Sequence, residues 1–128
     1  MTQPLLMIVD DDSSVRKVVE SMLRCLGCQV ASAPTGAQAL TLAQAHRAAI
    51  SGIFVDATLD GAPISPLLAE LDRLTGAPVV VMSGLTAAEA LLLAGPGRRF
   101  LAKPFGLDEL RQLLDALQPP ATLSRSAW

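Results

Sequence analysis

The chain has 128 residues and a formal net charge of −2, which fits one domain with a substantial core and gives no broad basic face for nucleic acid. No apolar run is long enough to span a membrane, and the first residues, MTQPLL, lack the basic segment of a secretory signal. We therefore expect a cytoplasmic protein that binds neither membranes nor nucleic acid directly.

Apolar runs alternate with helix-type periodicity along the chain. In chain order the predicted elements are a strand at 5–9, a helix at 14–26, a strand near 28–32, a helix from about Gly36, a strand ending at Asp56, a helix at 66–74, a strand within 77–84, a helix at 87–95, a strand at 98–102 and a helix from Leu107 to Leu117. Strands that alternate with helices of this length predict an α/β fold, (βα)5, with a parallel sheet covered on both faces.

Several helix ends carry residues that can satisfy free backbone groups. The predicted capping residues are Asp12, Ser13 or Ser14 before the first helix, Gly27 after it, Thr35 with Gln38, Ser65 with Pro66, and Thr86 with Glu89. The chain beyond Pro119-Pro120 has no such pattern. We expect one domain over residues 1–118 and a flexible tail or truncated linker over 119–128.

Cys25 and Cys28 have the Cys-x-x-Cys spacing of redox pairs and of some zinc sites. A zinc site needs four ligands, and the only histidine is His46. A reactive pair usually opens a helix, where the helix dipole lowers the thiol pKa, whereas Cys25 falls near a predicted helix end. We interpret both cysteines as structural, with Cys25 buried and Cys28 at the start of a strand.

Polar side chains follow four of the five predicted strands: Asp10 and Asp11 the first, Asp56 the third, Ser83 the fourth and Lys103 the fifth. Ligands of open parallel sheets bind beyond the carboxyl ends of the strands, so these side chains are expected at one edge. The three carboxylates predict a site for a hard divalent cation, Mg²⁺ or in its place Mn²⁺. A bound cation would also offset the repulsion within the run Asp10-Asp11-Asp12.

A carboxylate beside such a cation can attack a phosphoryl donor. Catalysis would then consist mostly of positioning and charge neutralisation, with Lys103 countering the phosphoryl oxygens. Ser83 can donate a hydrogen bond to one of those oxygens, and Gly84 leaves room for the group.

The segments LLMIVDDDSSVR, GIFVDATL, VVVMSG and FLAKPF resemble the motifs of the response-regulator receiver domain, the phosphoacceptor module of bacterial two-component signalling. The resemblance runs from Leu5 to about Leu117. It implies a doubly wound, flavodoxin-like sheet of strand order 2-1-3-4-5. It also implies a signalling domain, not an enzyme in the usual sense, that accepts a phosphoryl group from a sensor histidine kinase or histidine phosphotransfer protein and slowly hydrolyses it.

The resemblance implies a role for each matching position: Asp56 as phosphoacceptor, Asp10 and Asp11 as the acidic pair at the metal, Thr58 as a metal ligand through its backbone carbonyl, Ser83 as the conserved hydroxyl, Lys103 as the invariant lysine, Pro104 as a cis-proline and Phe100 as the aromatic switch residue. Asp12 is interpreted as a cap or as a charge close to the metal site, in preference to a direct ligand. Phosphorylation would draw Ser83 inward, let Phe100 fill the vacated space, and change the face formed by the fourth helix, fifth strand and last helix.

That face carries the consecutive Leu91, Leu92 and Leu93, which one narrow helix stripe cannot bury together. The leucines suggest a docking or homodimer surface, although a helix wedged under a loop explains them equally well. Two features depart from the receiver pattern. Asp60 stands where receivers usually have Pro, in a shortened loop that bears on phosphoryl lifetime, and the fourth helix is short.

Three other functions compete with a phosphorylated receiver. A degenerate receiver would bind partners without phosphorylation, but the complete set of site residues argues against it. The segment IFVDATLDG faintly resembles the nucleophile loop of haloacid-dehalogenase-type phosphatases. Thr58, however, occupies the position of the second Asp, the acid/base that this reaction requires. A flavodoxin-like cofactor binder would need a phosphate-binding loop after the first strand and aromatic residues, and the chain is only 3% aromatic.

Overall fold

Five parallel strands form one sheet in which the strands, numbered along the chain, have the order 2-1-3-4-5, which confirms the predicted fold class and strand order. The computed structural model describes residues 3–61 and 63–117. The elements are β1 (Leu5–Val9), α1 (Ser13–Cys25), β2 (Gln29–Ala33), α2 (Gly36–His46), β3 (Ile50–Asp56), a 3₁₀ turn (Leu59–Gly61), α3 (Ser65–Thr75), β4 (Val79–Ser83), α4 (Ala87–Ala94), β5 (Arg99–Ala102) and α5 (Leu107–Leu117). The predicted domain end at 118 and the tail at 119–128 lie outside the described residues.

Alternate residues of each strand supply two separate apolar layers, because successive side chains of a strand point to opposite faces. On one face, Met7 and Val55 pack with α2, α3 and α4. On the other, Ile8 and Phe54 pack with α1 and α5. Every residue of β4 is buried, as expected for a strand covered on both sides. Within the described residues, no helix combines the length and the apolar character needed to cross a membrane.

Helix α1 is capped by Asp12, whose Oδ1 accepts hydrogen bonds from the N–H groups of Ser14 (2.9 Å) and Val15 (3.1 Å). The alternative caps Ser13 and Ser14 are therefore wrong, because both residues already belong to the first turn. A carboxylate that accepts two free N–H groups is also favoured here by the helix dipole.

The other predicted caps gave mixed outcomes. Thr35 accepts the Gln38 N–H, and Thr86 and Glu89 form a complete capping box. Ser65 as the cap of α3 is wrong, since Ser65 lies inside the helix and Ile64 occupies the cap position with no side-chain cap bond. Ile64 is 3% exposed, so apolar packing holds this helix start where a polar cap was predicted.

The cysteine prediction is half right. Gly27 has φ +88° and ends α1 as predicted, but Cys25 is exposed, because the last turn of α1 directs it to solvent. Cys28 is buried just before β2, and burial raises the pKa of its thiol. A raised pKa is the opposite of what a reactive thiolate needs, so the structural interpretation of Cys28 holds.

Candidate functional site

The parallel register brings the ends of four strands to one edge of the sheet. Asp10 directly follows β1, Asp56 is the last residue of β3, Ser83 is the last residue of β4 and Lys103 directly follows β5. Asp56 is aligned with Met82, and Ser83 with Ala102 on the next strand. The predicted meeting of these positions at one edge is therefore present in the fold.

Three carboxylates converge at this edge. One oxygen each from Asp10, Asp11 and Asp56 lies within 4.8 Å of the others, with Asp10 and Asp56 buried and Asp11 exposed. Asp10 Oδ1 accepts the Asp12 N–H at 2.9 Å. Asp10 Oδ2 lies 3.7 Å from Lys103 Nζ but accepts no hydrogen bond from the residues that the structure describes. A buried charged oxygen without a hydrogen-bond donor is costly, so a bound cation would stabilise it.

Burial raises the pKa of Asp10, because the ionised carboxyl group loses its hydration. The Asp12 N–H and the Lys103 ammonium group act in the opposite direction, and the charges of Asp56 and Asp11 reinforce the rise. The environment of Asp10 therefore disfavours a bare negative charge.

Among the residues that the structure describes, two donate hydrogen bonds to the Asp56 carboxylate. Lys103 Nζ lies 3.3 Å from Oδ1. Thr58 donates its backbone N–H to Oδ1 (3.3 Å) and places its hydroxyl 3.2 Å from Oδ1 and 3.1 Å from Oδ2. The sequence analysis missed the contact of the Thr58 side chain, because it considered only the Thr58 carbonyl. The sequence feature that could have predicted this contact is a hydroxyl residue two positions after an Asp that ends a strand, which is the spacing of a turn closed by a side chain.

Ser83 and its neighbours line the same edge. Ser83 is 5% exposed, and its Oγ accepts the Leu85 N–H at 2.9 Å, which leaves the hydroxyl proton available for donation. Gly84 is exposed, and a Cβ there would approach Lys103 Cβ to 4.0 Å. The Lys103–Pro104 peptide bond is cis. Phe100 lies on the edge strand β5, with 39% of its surface exposed.

The chemistry of the donors fits a hard divalent cation. Mg²⁺ prefers carboxylate and carbonyl oxygens, and the unsatisfied Oδ2 of buried Asp10 is an independent sign that a cation belongs here. The residues whose oxygens converge to hold it are Asp10, Asp11 and Asp56. The backbone carbonyl of Thr58, the further ligand that the receiver resemblance implies, stays a prediction. That carbonyl accepts the Gly61 N–H at 3.1 Å and keeps a second lone pair.

The sequence is similar to known proteins along most of its length. The sequence matches the family described as the response regulator receiver domain over residues 6–115. It is 37% identical to the transcriptional regulatory protein PrrA of Mycobacterium tuberculosis, over 91% of this chain and 51% of PrrA. It is 30% identical to the protein PilG of Pseudomonas aeruginosa, over 91% of this chain and 88% of PilG.

A solved structure with a similar fold is the receiver domain of the sensor histidine kinase PA1611 from Pseudomonas aeruginosa PAO1, which holds a magnesium ion in its active-site cleft. The TM-score is 0.77 at 27% identity, covering 91% of this chain and 98% of that one. The chain belongs to the response regulator receiver family of two-component signalling. It spans about half the length of the PrrA proteins that it matches.

Three properties are general to receiver domains. Receiver domains are signalling domains, not classical enzymes, they interact with histidine kinases and phosphotransfer proteins, and they bind Mg²⁺ in an acidic active site. The membership also decides against the haloacid-dehalogenase-type and flavodoxin-like alternatives of the sequence analysis.

Proposed function

We propose that this chain is an active receiver that accepts a phosphoryl group on Asp56, in a Mg²⁺-dependent reaction, from a sensor histidine kinase or histidine phosphotransfer protein. The observation that carries the proposal is the position of Asp56: its carboxylate lies beside two further carboxylates and 3.3 Å from Lys103 Nζ. A degenerate receiver would have no need for this complete and partly unsatisfied set of charges.

In the proposed reaction, a carboxylate oxygen of Asp56 forms a bond to phosphorus while the phosphorus–nitrogen bond of the donor phosphohistidine breaks. When bound, the cation neutralises charge on the carboxylates and on the phosphoryl oxygens. Lys103 lies 3.3 Å from Oδ1 of the nucleophile and adds a second positive charge at that point. Ser83 supplies the hydroxyl proton that its own acceptor contact with Leu85 leaves free.

The conformational change caused by phosphorylation would be transmitted through Ser83 and Phe100 to the face formed by α4, β5 and α5. Ser83 and Phe100 lie on the adjacent strands β4 and β5, and Phe100 is partly solvent-exposed, so inward rotation would change that face. Leu91 and Leu92 on α4 are 47% and 82% exposed. Exposed leucines of this kind suit a partner or a second copy of the chain.

The first test is intact-mass spectrometry after incubation with acetyl phosphate, with and without Mg²⁺. We expect one alkali-labile phosphate on the wild type in the presence of Mg²⁺ and none on Asp56→Asn. Asp108→Asn, which removes a carboxylate that is 85% exposed on α5, is the matched control and should be phosphorylated like the wild type. Phosphorylation of Asp56→Asn at the wild-type level would overturn the proposal. A wild type that remains unmodified even with a phosphorylated kinase would favour the degenerate receiver.

A further inference from the structure

Arg16 reaches back from α1 to the end of β1. Its guanidinium group donates a 2.8 Å hydrogen bond to the backbone carbonyl of Asp10, and its side chain is 17% exposed. Such a charge-assisted hydrogen bond is stronger than one between neutral groups. It ends on the backbone of the most deeply buried carboxylate of the site.

The contact closes a ring of hydrogen bonds. Asp10 Oδ1 accepts the Asp12 N–H, and the Asp12 side chain accepts the first free N–H groups of α1. The Arg16 N–H donates to the Asp12 carbonyl at 2.9 Å, and the Arg16 side chain returns to the Asp10 carbonyl. The ring fixes the backbone on both sides of Asp11 and ties the acidic segment to the first turn of the helix.

The position of Arg16 is unfavourable for the helix itself. It is the fourth residue of α1, where the helix dipole disfavours a positive charge. Its ion pair with Glu20 is long, at 3.9 Å, and has the arginine N-terminal to the acid, the weaker orientation for helix pairs. The hydrogen bond to Asp10 is therefore the contact that accounts for an arginine at this position.

We propose that Arg16 is a positioning residue for Mg²⁺: it touches neither the cation nor the phosphoryl group, and it acts by holding Asp10 and Asp11 in the geometry that binds the cation. The proposal rests on the Mg²⁺ site of the proposed function. A purely electrostatic role predicts the opposite sign, because a nearby positive charge repels a cation and its removal would tighten binding.

The test is titration of Mg²⁺ into the wild type, Arg16→Gln, Arg16→Lys and Arg24→Gln by isothermal calorimetry at low and high ionic strength. We expect Arg16→Gln to bind Mg²⁺ about tenfold more weakly, the order found when groups that orient metal ligands are lost. Screening weakens charge effects, so the loss should persist at high salt. Arg16→Lys, which keeps a donor and the charge, should recover most of the affinity.

Arg24→Gln is the matched control, because Arg24 lies on the same helix and pairs with the same Glu20, at 3.5 Å. It should bind Mg²⁺ like the wild type. Phosphorylation by acetyl phosphate supplies a second measurement: the rate for Arg16→Gln should return to the wild-type value at saturating Mg²⁺. Circular dichroism of each variant checks that the fold is retained.

Unchanged or tighter Mg²⁺ binding by folded Arg16→Gln would overturn the inference and leave the proposed function intact. Equal weakening in Arg24→Gln would also overturn it, because the effect would then belong to the helix as a whole. A wild type that binds no Mg²⁺ would overturn both this inference and the proposed function.

Discussion

Thr58 places a hydroxyl proton against the carboxylate that the proposed reaction uses as its nucleophile. The hydroxyl lies within hydrogen-bond distance of both Asp56 oxygens, and a carboxylate that accepts a hydrogen bond is a weaker nucleophile. We expect Thr58→Val, which keeps the shape and removes the hydroxyl, to be phosphorylated by acetyl phosphate roughly 2–10 times faster. That range corresponds to the loss of about 0.5–1.5 kcal/mol of hydrogen-bond free energy.

The matched control is Thr58→Ser, which keeps the hydroxyl and should react at the wild-type rate. Intact-mass spectrometry at fixed acetyl phosphate and saturating Mg²⁺ gives the rates. A slower Thr58→Val would show that the hydroxyl assists the attack, contrary to this prediction.

Residue chemistry explains why much of the site could be predicted from the sequence. A carboxylate or an ammonium group directly after an apolar strand must lie at the end of that strand, outside the apolar layers. The parallel sheet brings the ends of these strands together, so Asp10, Asp56 and Lys103 meet at the same edge. Contacts that depend on how a turn folds are harder to predict. The Thr58 hydroxyl and the Arg16 bond to the Asp10 carbonyl both depend on local backbone geometry that residue type and spacing leave open.

Contacts between elements are also hard to predict from the sequence, as the connections around α3 and α4 show. The Ile64 N–H donates to the Leu93 carbonyl at 2.9 Å and so satisfies a free carbonyl at the end of α4. Arg98, just before β5, forms a 2.8 Å ion pair with Asp72 on α3. The lengths and the order of the elements were readable from periodicity. These contacts join segments that are distant in sequence, so no local sequence pattern predicts them.

The Arg98–Asp72 ion pair should contribute to stability, while its neighbour Arg99 serves as a control. The Arg98 side chain is 19% exposed, whereas Arg99 is exposed. We expect Arg98→Gln to lower the free energy of unfolding by about 1 kcal/mol, the upper range for partly exposed pairs, and Arg99→Gln to leave it unchanged. Urea denaturation measures both. Equal effects of the two substitutions would mean that the pair contributes nothing specific.

At the scale of the whole molecule, burial of the ionised Asp10 carboxylate lowers the free energy of unfolding. Asp10 is fully buried and its pKa is raised, first of all by burial. A carboxyl group whose folded pKa lies above its unfolded value favours the folded state while it is protonated, and this contribution is lost as the pH rises through the folded pKa. Once ionised, Asp10 therefore carries a destabilising charge.

We expect Asp10→Asn to raise the free energy of unfolding at pH 7 without Mg²⁺ by about 1–2 kcal/mol, since a neutral amide avoids much of the cost of burying an unsatisfied charge. The gain should shrink as the pH falls through the raised pKa of Asp10, because the wild-type carboxyl group then also becomes neutral. With Mg²⁺ the order should reverse, because a ligand at 100 times its dissociation constant adds about 2.7 kcal/mol to the protein that binds it. Urea denaturation across pH, with and without Mg²⁺, measures each value. If the wild type is the more stable protein without Mg²⁺ at pH 7, the contact with Lys103 already compensates the buried charge, and the cation is not needed to relieve it.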